Sequence, residues 1–84
     1  EQNYPNPFNP STIINFTIPI SAYTELKVYD ILGNVICTLI SDYISQGSYS
    51  VNFNANFFNL SSGVYFYRLT SGNINLIKKM SLIK

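Results

Sequence analysis

The chain has 84 residues, enough for one domain, and its 46% hydrophobic and 15% aromatic residues are accompanied by only 11% charged residues. Disordered chains are poor in aromatics and rich in charge, so this composition predicts a folded domain with a thin core. The formal net charge is +1 and the basic residues are scattered, which argues against the continuous positive surface that nucleic-acid binding requires.

The titratable residues exclude the usual catalytic centres. The chain has no His, and no spacing pairs its acids, Glu1, Glu25, Asp30 and Asp42. General acid–base catalysis needs such groups within hydrogen-bonding reach of a substrate. Cys37 has no second cysteine for a disulfide or a zinc site, so we interpret it as a small apolar filler, with a reactive thiol as the alternative. We predict a protein that is not an enzyme, without catalytic residues, metal or cofactor.

Residues 1–11 are predicted to form an extended, Pro- and Asn-rich lead-in to the domain. Three prolines within Asn3–Pro10 disfavour a helix, while Tyr4 and Phe8 indicate that the segment packs down. The chain begins at Glu1 and shows neither a signal-peptide pattern nor an apolar run of about 20 residues. We therefore expect a piece of a longer precursor whose targeting segment lies upstream.

Apolar and polar residues then alternate with the period of two that is typical of half-buried β-strands. The Val35–Ile40 strand is apolar on both faces, which predicts that it is covered on both sides. A polar loop is expected after it, and a turn is expected over residues 54–59, where Phe57 and Phe58 plug one end of the core. Strands are predicted over Thr12–Ile18, Thr24–Tyr29, Val35–Ile40, Tyr49–Phe53, Val64–Thr70 and Ile74–Ile83.

Turn residues connect these strands at short intervals. Asp30–Gly33 and Ser71–Asn73 carry the Asp, Asn and Gly residues of tight hairpins. No window of ten or more residues has helical period. Residues 12–84 are therefore predicted to form an all-β, immunoglobulin-like antiparallel β-sandwich of six to seven strands, with a small open barrel as the alternative.

One pattern occurs twice, each time directly before a predicted strand: Ile44–Tyr49 and Leu60–Tyr65 both read apolar, Ser, polar, Gly, any residue, Tyr. In Greek-key sandwiches, a Tyr just after such a turn hydrogen-bonds an upstream backbone group and fixes the corner where the chain crosses between sheets. The Gly suits a backbone conformation that other residues resist. We interpret both motifs as corners, with ligand binding by the Tyr residues as the alternative.

Four segments together carry a family resemblance: residues 3–12 (NYPNPFNPST), 28–33 (VYDILG), 62–69 (SGVYFYRL) and 78–80 (KKM). They resemble the type A C-terminal sorting domain of type IX secretion, and they are also similar to the immunoglobulin-like domain of flagellar hook-capping proteins. The resemblance extends over essentially the whole chain. The family motif positions are Tyr4, Pro5, Asn6, Pro7, Phe8, Tyr29, Asp30, Gly33, Gly47, Tyr49, Gly63, Tyr65, Arg68 and Lys79.

The resemblance implies a C-terminal secretion signal of a Bacteroidota-like, Gram-negative bacterium, secreted or held at the cell surface after passing the periplasm and outer membrane. Its implied partners are the outer-membrane translocon, a sortase-like surface protease and an upstream cargo domain. The terminal strand Ile74–Ile83, marked by Lys78 and Lys79, is the candidate recognition edge, and we expect it to matter less for folding than for presentation. The two lysines are alternatively only a solvated edge or a contact for an anionic surface.

Two other classes of function stay open at this stage. Low charge and seven Tyr residues are typical of sticky surfaces, which favours a structural or adhesive immunoglobulin-like module that self-associates. A carbohydrate-binding accessory module is supported by the Tyr content alone.

Overall fold

A computed structural model describes Pro7 and residues 10–83. Motif positions Tyr4, Pro5, Asn6 and Phe8 lie outside the described residues. The described chain forms six strands and one short 3₁₀ helix, Ala55–Phe58, between the fourth and fifth strands. The strands are β1 (Ser11–Ile18), β2 (Ala22–Tyr29), β3 (Val35–Ile44), β4 (Gly47–Asn54), β5 (Gly63–Ser71) and β6 (Ile74–Leu82).

The strands pair into two antiparallel sheets. One sheet has the order β1-β4, and the other has the order β3-β2-β5-β6. The chain therefore crosses between the sheets after β1, after β3 and after β4, and it stays within the larger sheet at the β2–β3 and β5–β6 hairpins. The predicted all-β sandwich is confirmed.

The core lies between the sheets and follows the alternation of the sequence. On β1, Ile14, Phe16 and Ile18 are buried, and Pro19 follows directly after the strand ends. Buried Thr24 donates to Ser71 Oγ at 2.7 Å across the β2–β5 pair, and among the described residues no buried side-chain nitrogen or oxygen lacks a hydrogen-bond partner. The remaining buried apolar side chains are Leu26, Val28, Phe53, Ala55, Tyr65, Tyr67, Leu69, Met80 and Leu82.

The prediction for β3 is wrong in two respects. The strand continues to Ile44 where a polar loop was expected, and its residues, at an edge of the larger sheet, are exposed or only partly buried, so it is not covered on both sides. Two register shifts relative to β2 explain the misleading pattern. A bulge inserts an extra residue and breaks the alternation, so apolar residues at consecutive positions pack against the core from one strand.

The prediction that Phe57 and Phe58 plug one end of the core is wrong for Phe57. Phe57 is 81% exposed, and the buried residue of the short helix is Ala55. A 3₁₀ helix has three residues per turn, so Phe58 lies on the same side as Ala55 and Phe57 points away. Phe58 is 38% exposed and stacks on Phe53 with ring centroids 5.7 Å apart.

The terminal strand β6 contributes directly to the core. Met80 and Leu82 are 0% and 2% exposed, and β6 pairs with β5 along its whole length. Burying one such side chain stabilises a fold by about 1.5–3 kcal/mol. The expectation that this strand matters less for folding is therefore wrong, because a deletion from Lys79 onwards would remove two core residues.

Candidate functional site

The two repeated motifs form the predicted corners. The Tyr49 hydroxyl donates to the Ser45 carbonyl at 2.5 Å, and the Tyr65 hydroxyl donates to the Ser61 carbonyl at 2.7 Å. Gly47 and Gly63 have φ angles of 151° and 155°, which L-residues rarely adopt. The first corner joins β3 to β4 and the second leads into β5, and both connections cross between the sheets. These hydroxyls are engaged in holding the backbone, which favours a structural role over ligand binding.

The β2–β3 turn is organised by Asp30. Its Oδ1 accepts from the backbone N–H groups of Leu32 at 3.0 Å and Asn34 at 2.9 Å, and Oδ2 accepts from the Asn34 side-chain amide at 3.2 Å. Gly33 closes the turn at a φ of 89°. The Asn34 backbone N–H is the main group that holds the pKa of the Asp30 carboxyl below its ordinary value. The carboxylate is therefore ionised and serves the turn at neutral pH.

Four motif positions meet beside this turn. Tyr29, Asp30, Gly33 and Arg68 line an open cleft of about 310 Å³ on the outer face of the larger sheet. Tyr29 and Asp30 are brought there by the end of β2, whereas Arg68 arrives through the β2–β5 pairing. The other lining residues are Ile31, Phe66 and Ile77.

Phe66 and Ile77 were not identified as site residues from the sequence. The alternation of β5 did contain a signal for Phe66, because it lies two residues before Arg68 and so shares its face. In the structure Phe66 is in register with Tyr29, and Ile77 is in register with Arg68. Ile77 is 60% exposed, so the cleft ends on an apolar side chain that faces water.

Positive charge borders the cleft on this outer face. Lys27 and Arg68 lie directly opposite each other on β2 and β5. Two like charges at facing positions destabilise a strand pair. Glu25 partly offsets it with an exposed ion pair to Lys27 at 3.7 Å, and Arg68 Nε donates to Asn75 Oδ1 at 3.0 Å. Lys79 is in register with Phe66. The face therefore combines apolar and cationic groups.

The structure places the remaining candidate residues apart from this cleft. Pro7 is exposed. Cys37 pairs with Val28 and packs against the core, and burial raises the pKa of its thiol. A thiol with a raised pKa holds little reactive thiolate at neutral pH, which favours the interpretation as a filler.

Within residues 10–83, no group of three or more His, Cys, Asp or Glu side chains is placed to hold a metal ion. None of the helices in the described part of the chain is sufficiently long and apolar to span a bilayer.

The comparisons with known proteins agree with this architecture. A family model described as a secretion system C-terminal sorting domain matches residues 2–84, which is essentially the whole chain. The chain matches none of the curated proteins. The matched range includes both corners, the Asp30 turn and the terminal strand. The chain belongs to the family of type IX secretion C-terminal sorting domains.

Proposed function

We propose that this domain is a non-catalytic C-terminal secretion signal that the type IX machinery recognises in order to export an upstream cargo protein and attach it to the cell surface. The observation that carries the proposal is the family match over residues 2–84. On this proposal the domain is a substrate of the machinery, read by the outer-membrane translocon and then by a sortase-like surface protease. Residues 1–11 are the connection to the cargo.

The fold supports this role because a folded label needs a distinctive surface that a receptor can read. The cleft of Tyr29, Asp30, Gly33 and Arg68 is such a surface, since it gathers motif positions that are distant in sequence. The corner residues support it indirectly, by fixing the β5 backbone that carries Phe66 and Arg68. Recognition then depends on folding at the corners and on contact at the cleft.

A reporter experiment tests the proposal. A fluorescent protein with an export signal is fused to residues 1–84 and produced in a type IX-competent host and in the same host without the translocon. We expect the reporter at the surface or in the medium only in the competent host, and in the periplasm otherwise. Equal export of a reporter that lacks residues 1–84 would refute the sorting function.

A structural or adhesive module is the second candidate, and one observation favours it. Ile31 and Leu32 at the β2–β3 turn are 69% and 83% exposed, and Ile31 lines the same cleft as the exposed Ile77. Apolar side chains grouped on a surface favour association with a partner or another copy. Sedimentation of the purified domain from micromolar to millimolar concentration separates the candidates, because a module that packs with its copies forms oligomers and a sorting label stays monomeric.

A further inference from the structure

The four-stranded sheet has two edges that differ in regularity. On one edge, β3 pairs with β2 through two register shifts. Bulges twist an edge and are a common protection against unwanted strand pairing. On the other edge, β6 keeps a single register with β5 from Ile74 to Leu82. In the part of the chain that the structure describes, no strand pairs with the outer side of β6.

The β5–β6 hairpin determines which backbone groups of β6 point outwards. Its loop consists of Gly72 and Asn73, between the paired residues Ser71 and Ile74. In a two-residue loop the flanking pair exchanges hydrogen bonds, and the pairs alternate from there along an antiparallel ladder. The N–H and C=O groups of Asn75 and Ile77 therefore face the open edge.

The side chains at this edge are apolar on both faces of the sheet. Leu76 is 42% exposed and lies beside Ile14 and Phe16 of β1 in a narrow crevice, whereas Ile77 is 60% exposed and lines the motif cleft. A strand added along β6 would cover both side chains, extending the core on one face and closing the cleft on the other. Removing this apolar surface from water favours the addition.

Charge at the same edge indicates the chemistry of the added strand. Lys78 is in register with the core residue Tyr67, and Lys79 with the outward-facing Phe66, so each face carries one lysine. Opposite charges at directly facing positions stabilise a pair of strands, and like charges destabilise it. A second copy of β6 would add two more lysines to the same ladder. Charge complementarity therefore favours an acidic partner over self-association.

We propose that the outer edge of β6 is a docking site for an extended segment of a partner polypeptide, which pairs with β6 as a fifth strand. The segment presents apolar side chains to Leu76 and Ile77 and acidic side chains to Lys78 and Lys79. Its backbone forms hydrogen bonds with the outward N–H and C=O groups of β6. The inference rests on the proposed function in one respect, since it identifies the kind of contact through which the secretion machinery reads the signal.

Two synthetic peptides test the chemistry on the purified domain, independently of export. Both are nine-residue strand-forming peptides of Val and Thr; one carries two adjacent Glu residues and the other carries two Lys residues in their place. NMR titration of the amide signals of Asn75 and Ile77 should show the Glu peptide binding about tenfold more tightly than the Lys peptide, because two facing pairs change from opposite charge to like charge. Equal shifts with both peptides, or none, would overturn the proposal.

A matched pair of variants tests the strand pairing itself. Ile77→Pro removes an outward N–H that β5 does not use, and proline is tolerated on edge strands for this reason. Ile77→Val keeps the N–H and the β-branched shape. We expect that the Pro variant no longer binds the Glu peptide and that the Val variant binds it as tightly as the wild type does. Binding by a folded Pro variant at wild-type strength contradicts strand addition.

A charge reversal keeps the test decisive if the Pro variant does not fold. The variant Lys78→Glu with Lys79→Glu should reverse the preference, so that it binds the Lys peptide and rejects the Glu peptide. If the variant still prefers the Glu peptide, Lys78 and Lys79 do not face the acidic side chains of the added strand, and the proposal is overturned.

The reporter assay then separates this inference from the proposed function. Export that falls about tenfold for Ile77→Pro but not for Ile77→Val supports both. If the wild type is exported but shows no preference between the peptides, the sorting function is retained and the docking edge is rejected. If it prefers the Glu peptide but is not exported, the docking edge is retained and the sorting function is rejected.

Discussion

The two corners of the domain repeat one motif in different surroundings. In both, a Tyr hydroxyl donates to the carbonyl of the Ser four residues earlier, and the Gly between them takes a φ near 150°. Tyr65 is 8% exposed and belongs to the core of the larger sheet. Tyr49 is only partly buried in the two-stranded sheet, where its ring stacks on Phe16 with centroids 5.5 Å apart.

This difference separates what a local motif determines from what its surroundings determine. Six consecutive residues suffice for the turn geometry, because donor, acceptor and Gly all lie within the motif. The energetic weight of the corner depends on how much water reaches the ring and the hydroxyl, and that depends on the sheet above it. We therefore expect equal geometry at the two corners, but unequal stability effects when the same substitution is made at their Tyr residues.

Truncating the Tyr side chains should produce the largest difference in stability loss between the two corners. Replacing a buried aromatic residue by Ala costs about 3–5 kcal/mol, which we expect for Tyr65→Ala. For Tyr49→Ala we expect about half of that free energy, because its ring already contacts water. Urea denaturation of both variants measures the difference. Equal losses would mean that burial does not set the weight of a corner.

Replacing the glycines should lower stability by the same amount at both corners. A non-Gly residue in a sparsely populated backbone region costs about 1–3 kcal/mol, and we expect this for both Gly63→Val and Gly47→Val. The space is sufficient in each case, since nothing lies within 4 Å of a Cβ at Gly63 and the nearest atom at Gly47 is Tyr49 Cε2 at 3.9 Å.

Gly→Ala at both positions is the control for this pair, because it adds the backbone cost without the branched side chain. Thermal melting is the measurement. A loss at one corner alone would show that the two backbones are not equivalent.

Removing only the hydroxyls should give a smaller difference in stability loss between the two corners than removing the whole side chains. A net contribution of about 0.5–1.5 kcal/mol is typical of an intramolecular hydrogen bond, and we expect Tyr65→Phe to lose it. At Tyr49 water can replace the phenol as the donor to Ser45, so Tyr49→Phe should cost under about 0.5 kcal/mol. Export of the fused reporter should fall only as far as folding falls. Unchanged melting with abolished export after Tyr65→Phe would instead identify Tyr65 as a recognition residue.

Sequence reasoning succeeded where structure depends on neighbours in the chain. The alternation of β1, the Pro19 stop and both corners are local, and each is present in the structure. The bulges of β3 are not local, because they arise from its pairing with β2, and so β3 was mistaken for a covered strand. An apolar run alone does not reveal whether both faces are buried or the strand is bulged.

The cleft shows the same limit for function. Its motif positions Tyr29, Asp30, Gly33 and Arg68 were all identified from the sequence, but as separate positions. Arg68 reaches the other three only because β5 pairs with β2, a contact between distant segments that periodicity does not specify. The exposure of Ile77 likewise follows from the place of β6 at the edge of the sheet.

The turn at Asp30 extends the comparison to a connection that is closed by a carboxylate in place of a phenol. Hydrogen bonds from the Asn34 and Leu32 N–H groups hold the pKa of Asp30 below its ordinary value, so the folded state binds the proton less readily than the unfolded chain. The stabilisation is therefore present above the unfolded pKa of about 3.9 and is lost as the pH falls through the lower folded value. Thermal melts between about pH 5 and pH 2 should show a steeper loss of stability for the wild type than for Asp30→Asn.

Asp30→Asn is a sharp probe because the amide oxygen can still accept from the Leu32 and Asn34 backbone N–H groups, so the variant loses the charge and the bond from the Asn34 side-chain amide but keeps both backbone bonds. The effect is the smallest of the series, since the carboxylate of the half-buried Asp30 lies at the surface and water screens its charge. Asp30→Ala, which removes the acceptor as well, should lower stability at neutral pH too. Parallel acid profiles for wild type and Asp30→Asn would show that the charge of Asp30 adds nothing to the stability of the β2–β3 turn, and that a neutral acceptor at this position holds the turn equally well.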